Sequence, residues 1–123
     1  MFADPQTLTV NAVAKALNRI DSGHGTSKYY LRSTTDEFVL NIRNSTYTDK
    51  KRGVLVDRHN VEFVHTVFPV APATLSTIRK TYVVIDNQQG DTLTDPTYVA
   101  SALFAWLTAS SNANITKLMN LEV

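Results

Sequence analysis

The sequence predicts an α+β protein: a run of antiparallel strands followed by two short C-terminal helices. Two observations carry this. Up to about Asp86 the apolar residues recur with period two, with turn signals between short runs; after Thr94 the period becomes helical. A 43% hydrophobic fraction in 123 residues is enough for one folded core. The chain is therefore read as a single domain, 1–123, carrying an N-terminal β-hairpin, an antiparallel sheet of about five strands and two helices.

Each element has its own signal. "QTLTVNAVAKALNRI" reads as a strand, a turn near Asn11 and a second strand, with Leu8, Val10, Val13 and Leu17 as its apolar members. "DSGHGT" carries two glycines among polar residues and reads as a loop. "SKYYLR" is a short strand. In "EFVLNIRNSTYT", Phe38, Leu40 and Ile42 fall on one face and Asn41, Arg43, Ser45 and Tyr47 on the other. "DKKRG" is a charged turn, and "VLVDRHNVEFVHTVF" a long strand. "PVAPAT" is a loop, because its prolines cannot donate ladder bonds. "LSTIRKTYVVID" is the last strand, rich in β-branched residues, and "NQQGD" a turn. Asp95 is placed as a helix cap, with Pro96 at the first helical position. Tyr98, Val99, Ala102, Leu103, Trp106 and Leu107 form one apolar stripe. "SSN" breaks it. A second helix starts at Asn112 or Asn114 and carries Ile115, Leu118 and Met119.

Several function classes are excluded early. The chain has no cysteine, so it has no disulfide, thiolate metal site or cysteine nucleophile. No apolar run approaches the ~20 residues of a membrane span. The start, "MFADPQTLTV", lacks the basic and apolar regions of a secretory signal. No phosphate-cradling glycine loop, G-x-S-x-G or H-E-x-x-H occurs.

The stretch "DRHNVEFVHTVF", Asp57 to Phe68, holds two histidines, two acids and an arginine. Strand alternation separates them. His59, Val61, Phe63, His65 and Val67 share one side; Arg58, Asn60, Glu62, Val64 and Thr66 share the other. Glu62 thus points away from both histidines. The histidines lie about 20 Å apart at ~3.3 Å per residue, too far for one metal ion. Neither a metal site nor an acid/base pair is expected here, and no cofactor. Asp86, Asp91 and Asp95 suggest calcium by proximity, but acids beside a turn and a helix start are the plainer account.

The opposite side of these strands reads differently. Arg58, Asn60, Glu62 and Thr66 lie beside Asn41, Arg43, Ser45 and Tyr47, and Lys80 and Tyr82 join them from the last strand. A half-exposed sheet needs a solvated face in any case. The same groups also suit a nucleic-acid platform: cations for phosphates, aromatics for stacking, amides for base edges. Residues 1–80 hold eleven Lys/Arg against seven Asp/Glu, while 81–123 hold one Lys against four acids. A basic body facing a polyanion fits that asymmetry. Phe104 lies off the main apolar stripe of the first helix. A helix apolar on more than one side favours a second copy of the chain as partner.

In order and spacing, "TSKYYL" (26–31), "RHNVEF" with "TVF" (58–68) and "YVVI" (82–85) resemble the coat proteins of the single-stranded RNA bacteriophages, the leviviruses, and most nearly the branch of a Caulobacter RNA phage. The resemblance runs loosely from Leu8 to the C-terminal helices. It implies an intertwined homodimer in which the last strands of two subunits join into one continuous sheet. The helices would cross the partner's outer face, with Tyr98, Leu103, Phe104, Trp106 and Leu107 at the dimer interface. It further implies assembly in the bacterial host cytoplasm, without a membrane, into an icosahedral virion around single-stranded RNA. An RNA hairpin bound on the inner face could also repress translation. Carried over by position, the RNA-binding residues are Asn41, Arg43, Arg58, Asn60, Glu62, Lys80 and Tyr82. Val84 stands where a polar base reader would be expected. "PVAPAT" matches the loop around the five-fold and quasi-six-fold axes. The competing reading is a small non-viral dimeric RNA-binding regulator on a similar sheet.

Overall fold

The computed structural model describes all residues, 1–123. Six strands form one sheet in sequential order: β1 (Gln6–Val10), β2 (Val13–Gly23), β3 (Thr26–Arg32), β4 (Asp36–Asp49), β5 (Val54–Val67) and β6 (Thr77–Gln88). One helical element, α1 (Thr94–Met119), follows. Two compact units can be distinguished, Met1–Asp86 and Asn87–Val123.

The α+β class holds, but the count of about five strands does not. The N-terminal hairpin is continuous with the sheet, because β2 pairs with β3 as far as Gly23↔Thr26. Much of the expected "DSGHGT" loop is therefore strand, and the turn shrinks to His24 and Gly25. Both have positive φ (28° and 79°), which suits a tight hairpin turn. Asn11 and Ala12 do the same between β1 and β2, at 49° and 64°. A register shift between Arg19 and Asp21 bends β2 on its way.

The bend has a packing consequence. It lets the hairpin fold back over the apolar face of the sheet: Lys15 Nζ stands 5.4 Å above the Phe38 ring, and β2 contributes Leu17 to the core. That core is Leu17, Tyr29, Phe38, Leu40 and Ile42, flanked by Leu8, Val10, Leu31 and Phe63. The alternation expected in β4 is thus realised. The pairs Phe38↔His65, Leu40↔Phe63 and Ile42↔Val61 put the apolar side of β5 beside it.

The "DKKRG" turn closes as expected: Gly53 N–H donates to the Asp49 carbonyl, while Asp49 Oδ1 accepts from the Lys51 and Arg52 N–H groups.

In the tail, two helical stretches are joined across a kink: non-helical angles fall at Ala109–Asn112, where "SSN" lies. Ser110, Ser111 and Asn112 are left-handed, and Asn114 Nδ2 spans the kink by donating to the Trp106 carbonyl at 2.7 Å. Asp95 is not the cap. Helical geometry begins at Thr94, and it is the Thr92 hydroxyl that accepts the Asp95 N–H and donates to Asp95 Oδ2. Thr92 thereby satisfies one of the unpaired N–H groups at the start of the helix, that of Asp95.

Candidate nucleic-acid interface

The face opposite the core is set by register. Lys28 is paired with Asn41, Asn41 with Glu62, Arg43 with Asn60, Ser45 with Arg58, and Tyr47 with Val56. Strand β6 adds Lys80 and Asp86 to the same side: Lys80 Nζ lies 3.6 Å from Glu62 Oε2, and Asp86 bonds Arg58. Tyr82, two residues on from Lys80 in the strand, falls on the same side and is 62% exposed. The structure therefore gathers Asn41, Arg43, Arg58, Asn60, Glu62, Lys80 and Tyr82 on one face.

Their electrostatic situations differ. Arg58 makes a two-pronged pair with Asp86, Nε to Oδ1 and Nη2 to Oδ2, both 3.0 Å. Its guanidinium also lies 4.6 Å from the Tyr47 ring centroid, and the Tyr47 hydroxyl donates to Asp86 Oδ2 at 3.4 Å. The Arg58 hydrogen bond holds the Asp86 carboxyl below the usual carboxylate range, and Asp86 in turn raises Arg58 further. This is a closed clamp across β4, β5 and β6. Glu62 meets Lys80 at 3.6 Å and Arg43 at 3.9 Å. The Asn60 carbonyl oxygen is buried without a partner.

Sequence reasoning passed over Lys28 on this face, although the alternation Lys28, Tyr30, Arg32 in β3 was available to find it. It also treated Asp86 as a turn acid, whereas Asp86 neutralises Arg58.

The two strand histidines lie on the core side, apart from one another. His59 Nδ1 donates to Asn44 Oδ1 at 2.7 Å. His65 stacks on Phe38 with centroids 4.2 Å apart. Its Nε2 donates to Asp36 Oδ2 at 2.9 Å, and its Nδ1 accepts from Arg79 at 3.2 Å. Both ring nitrogens are thus spent on protein partners. Ser33 donates to Asp36 Oδ1 rather than to His65, so the order is not that of an activated hydroxyl. No three of His, Asp or Glu converge as metal ligands. A cavity of about 560 Å³ lies between Met1, Phe2, the His24–Gly25 turn, Ile42 and Asn44, off the polar face.

Of the expected interface residues on α1, none is buried within one chain. Tyr98, Leu103, Phe104 and Trp106 are all exposed, Trp106 to 55%, and Leu107 is half-buried.

Fold and site together define a six-stranded sheet protein with one apolar, covered face and one polar face. Residues 3–88 match the model of the phage phiCb5 coat protein family, and the chain belongs to that family. It is a structural capsid protein, a component of the virion and not an enzyme. A solved structure, the virus-like particle of Wenzhou levi-like virus 1, is similar at 16% identity and a TM-score of 0.56. The match covers 93% of this chain and 94% of that one, and at this identity it is a likeness of fold. No curated protein matches the chain.

Proposed function

We propose that two copies of this chain form a homodimer, that dimers assemble in the host cytoplasm into an icosahedral shell, and that the polar sheet face lines the inside and binds single-stranded RNA. The observation that carries this is the division of the sheet. One face is covered by the chain's own N-terminal hairpin, while the other gathers Lys28, Arg43, Lys80 and Tyr82 without a large aliphatic cover. A polyanion with unpaired bases fits the second face by charge and by stacking.

Two further features support the dimer. Strand β6 is a twelve-residue edge, a ready template for pairing with another chain. No residue of α1 is fully buried within one chain, yet Tyr98, Val99, Ala102, Leu103, Trp106 and Leu107 form an apolar stripe ahead of the kink. A helix of this kind draws its stability from packing. A second subunit supplies that packing through Tyr98, Leu103, Phe104, Trp106 and Leu107, and the two compact units then work as one coat-protein domain.

Roles on the polar face differ. Arg43 and Lys80 contact phosphates. Tyr82 stacks on a base. Asn41 and the Asn60 amide nitrogen donate to base acceptors. Arg58 is neutralised by Asp86 and takes part only where a phosphate displaces that carboxylate. Repression of translation would follow if the same face held one RNA hairpin preferentially.

The test is expression of the chain with Arg43→Ala and Lys80→Ala together. Uniform shells by electron microscopy, with nuclease-protected RNA clearly reduced relative to the parent, are the expected result. Equal RNA content at matched salt, or no shells from the parent, would reject the reading.

A further inference from the structure

We propose that Glu62 is a built-in competitor for RNA phosphate, and that it sets how tightly and how salt-sensitively the polar face holds a single strand. This rests on the reading above that the face meets RNA.

The geometry is that of one anionic oxygen between two cations. Glu62 Oε2 lies 3.6 Å from Lys80 Nζ and 3.9 Å from Arg43 Nη1. The two cations reach it from the strands on either side of β5. Glu62 is 17% exposed at its side chain, while Arg43 and Lys80 are 53% and 52% exposed. The carboxylate sits low, and the cations stand over it, open to solvent. Both separations exceed hydrogen-bonding distance. The attraction therefore holds Arg43 and Lys80 near the carboxylate without a hydrogen bond to it.

The clamp on the same face shows what a spent cation looks like. Arg58 gives Asp86 two hydrogen bonds at 3.0 Å. Arg43 and Lys80 have no such closure with Glu62. An RNA phosphate approaching from solvent finds two converged donors whose combined charge is halved by the acid beneath them. Glu62 thus does two things: it keeps the cations near one another, and it lowers their net pull on a phosphate.

A site weakened in this way suits a shell protein. One dimer alone then holds arbitrary RNA loosely and can exchange it. Retention comes from many copies acting together on one strand.

The experiment is fluorescence anisotropy of the purified full chain with a labelled single-stranded RNA of random sequence, over a salt series. The variants are Glu62→Gln and Glu62→Ala. Removing the competitor should tighten binding about three- to tenfold at the lowest salt. It should also steepen the slope of log affinity against log salt by about 0.7 per site, one additional counter-ion released from a single strand. Folding is checked by the circular-dichroism melt, and either folded variant suffices. Equal or weaker binding by a folded variant would overturn the proposal and leave Glu62 as a positioning residue. If neither variant folds, Glu62 is a structural counter-ion and the proposal fails. A parent chain with no salt-dependent RNA binding would instead reject the RNA-facing face itself, and the inference with it.

Discussion

Asp86 takes three contacts at once: two N–H donors from Arg58 and the Tyr47 hydroxyl. Its carboxyl titrates below the ordinary range, chiefly because of the Arg58 hydrogen bond. The consequence for stability has a definite sign. The folded chain binds fewer protons here than the unfolded one in the acid range, so the contribution is complete above about pH 4 and is lost as pH falls through the lower folded value. Asp36 behaves likewise, held down first by the Ser33 hydroxyl and then by His65. Asp86→Asn should therefore lower the thermal midpoint near neutral pH and flatten its decline between about pH 5 and pH 2. Melts at stepped pH check this, and an acid decline as steep as the parent's would show that Asp86 contributes nothing there. At this scale the sequence was informative about sidedness and silent about partners. Alternation placed Arg58 and Glu62 on one face, but it could not say that Asp86 would claim Arg58 and leave Glu62 to Arg43 and Lys80. That choice depends on the offset of β6 against β5, which no local pattern encodes.

Among the elements, the β2–β3 turn shows why a predicted loop became strand. Two glycines in "DSGHGT" signal a break, but only Gly25 is needed for one. Gly25 adopts φ +79°, and a Cβ there would stand 3.0 Å from the Asn44 carbonyl oxygen. Asn44 N–H in turn donates to the Gly25 carbonyl at 2.8 Å. Gly25→Ala therefore meets an unfavourable backbone region and a backbone atom that cannot swing aside. It should cost about 1–3 kcal/mol in denaturant unfolding. Gly23 has open space around it, so alanine there is expected to be tolerated. If the two variants are equally stable, the turn is not held as described. The long strands β4 and β5 were legible because fourteen residues of alternation leave little room for another period. The C-terminal element was harder to read, since "SSN" marks a break without revealing that the backbone turns left-handed for three residues and then resumes the helix.

For the whole molecule, the question is what covers the α1 stripe and the open edge of β6. Both are answered by the homodimer proposed above. Trp106→Ala is the sharpest probe. Fully buried between subunits, this side chain should be worth about 3–5 kcal/mol, seen as loss of the dimer at concentrations where the parent stays paired. Sedimentation across a dilution series measures it. A stable folded monomer of the parent at micromolar concentration would reject the dimer.

By itself the sequence determined the α+β class, the division of β4 and β5 into an apolar and a polar side, and, through ordered segments such as "RHNVEF" and "YVVI", the coat-protein family. These are local or pattern properties: side-chain alternation follows from strand geometry, and a change of period marks a change of element. The tertiary structure alone decided that the N-terminal hairpin folds over the apolar face, that β2 extends the sheet to six strands, and that one carboxylate lies between Arg43 and Lys80 while another closes on Arg58. Those outcomes turn on strand offset and on a bend at Arg19–Asp21, where energies are settled between residues far apart in the chain.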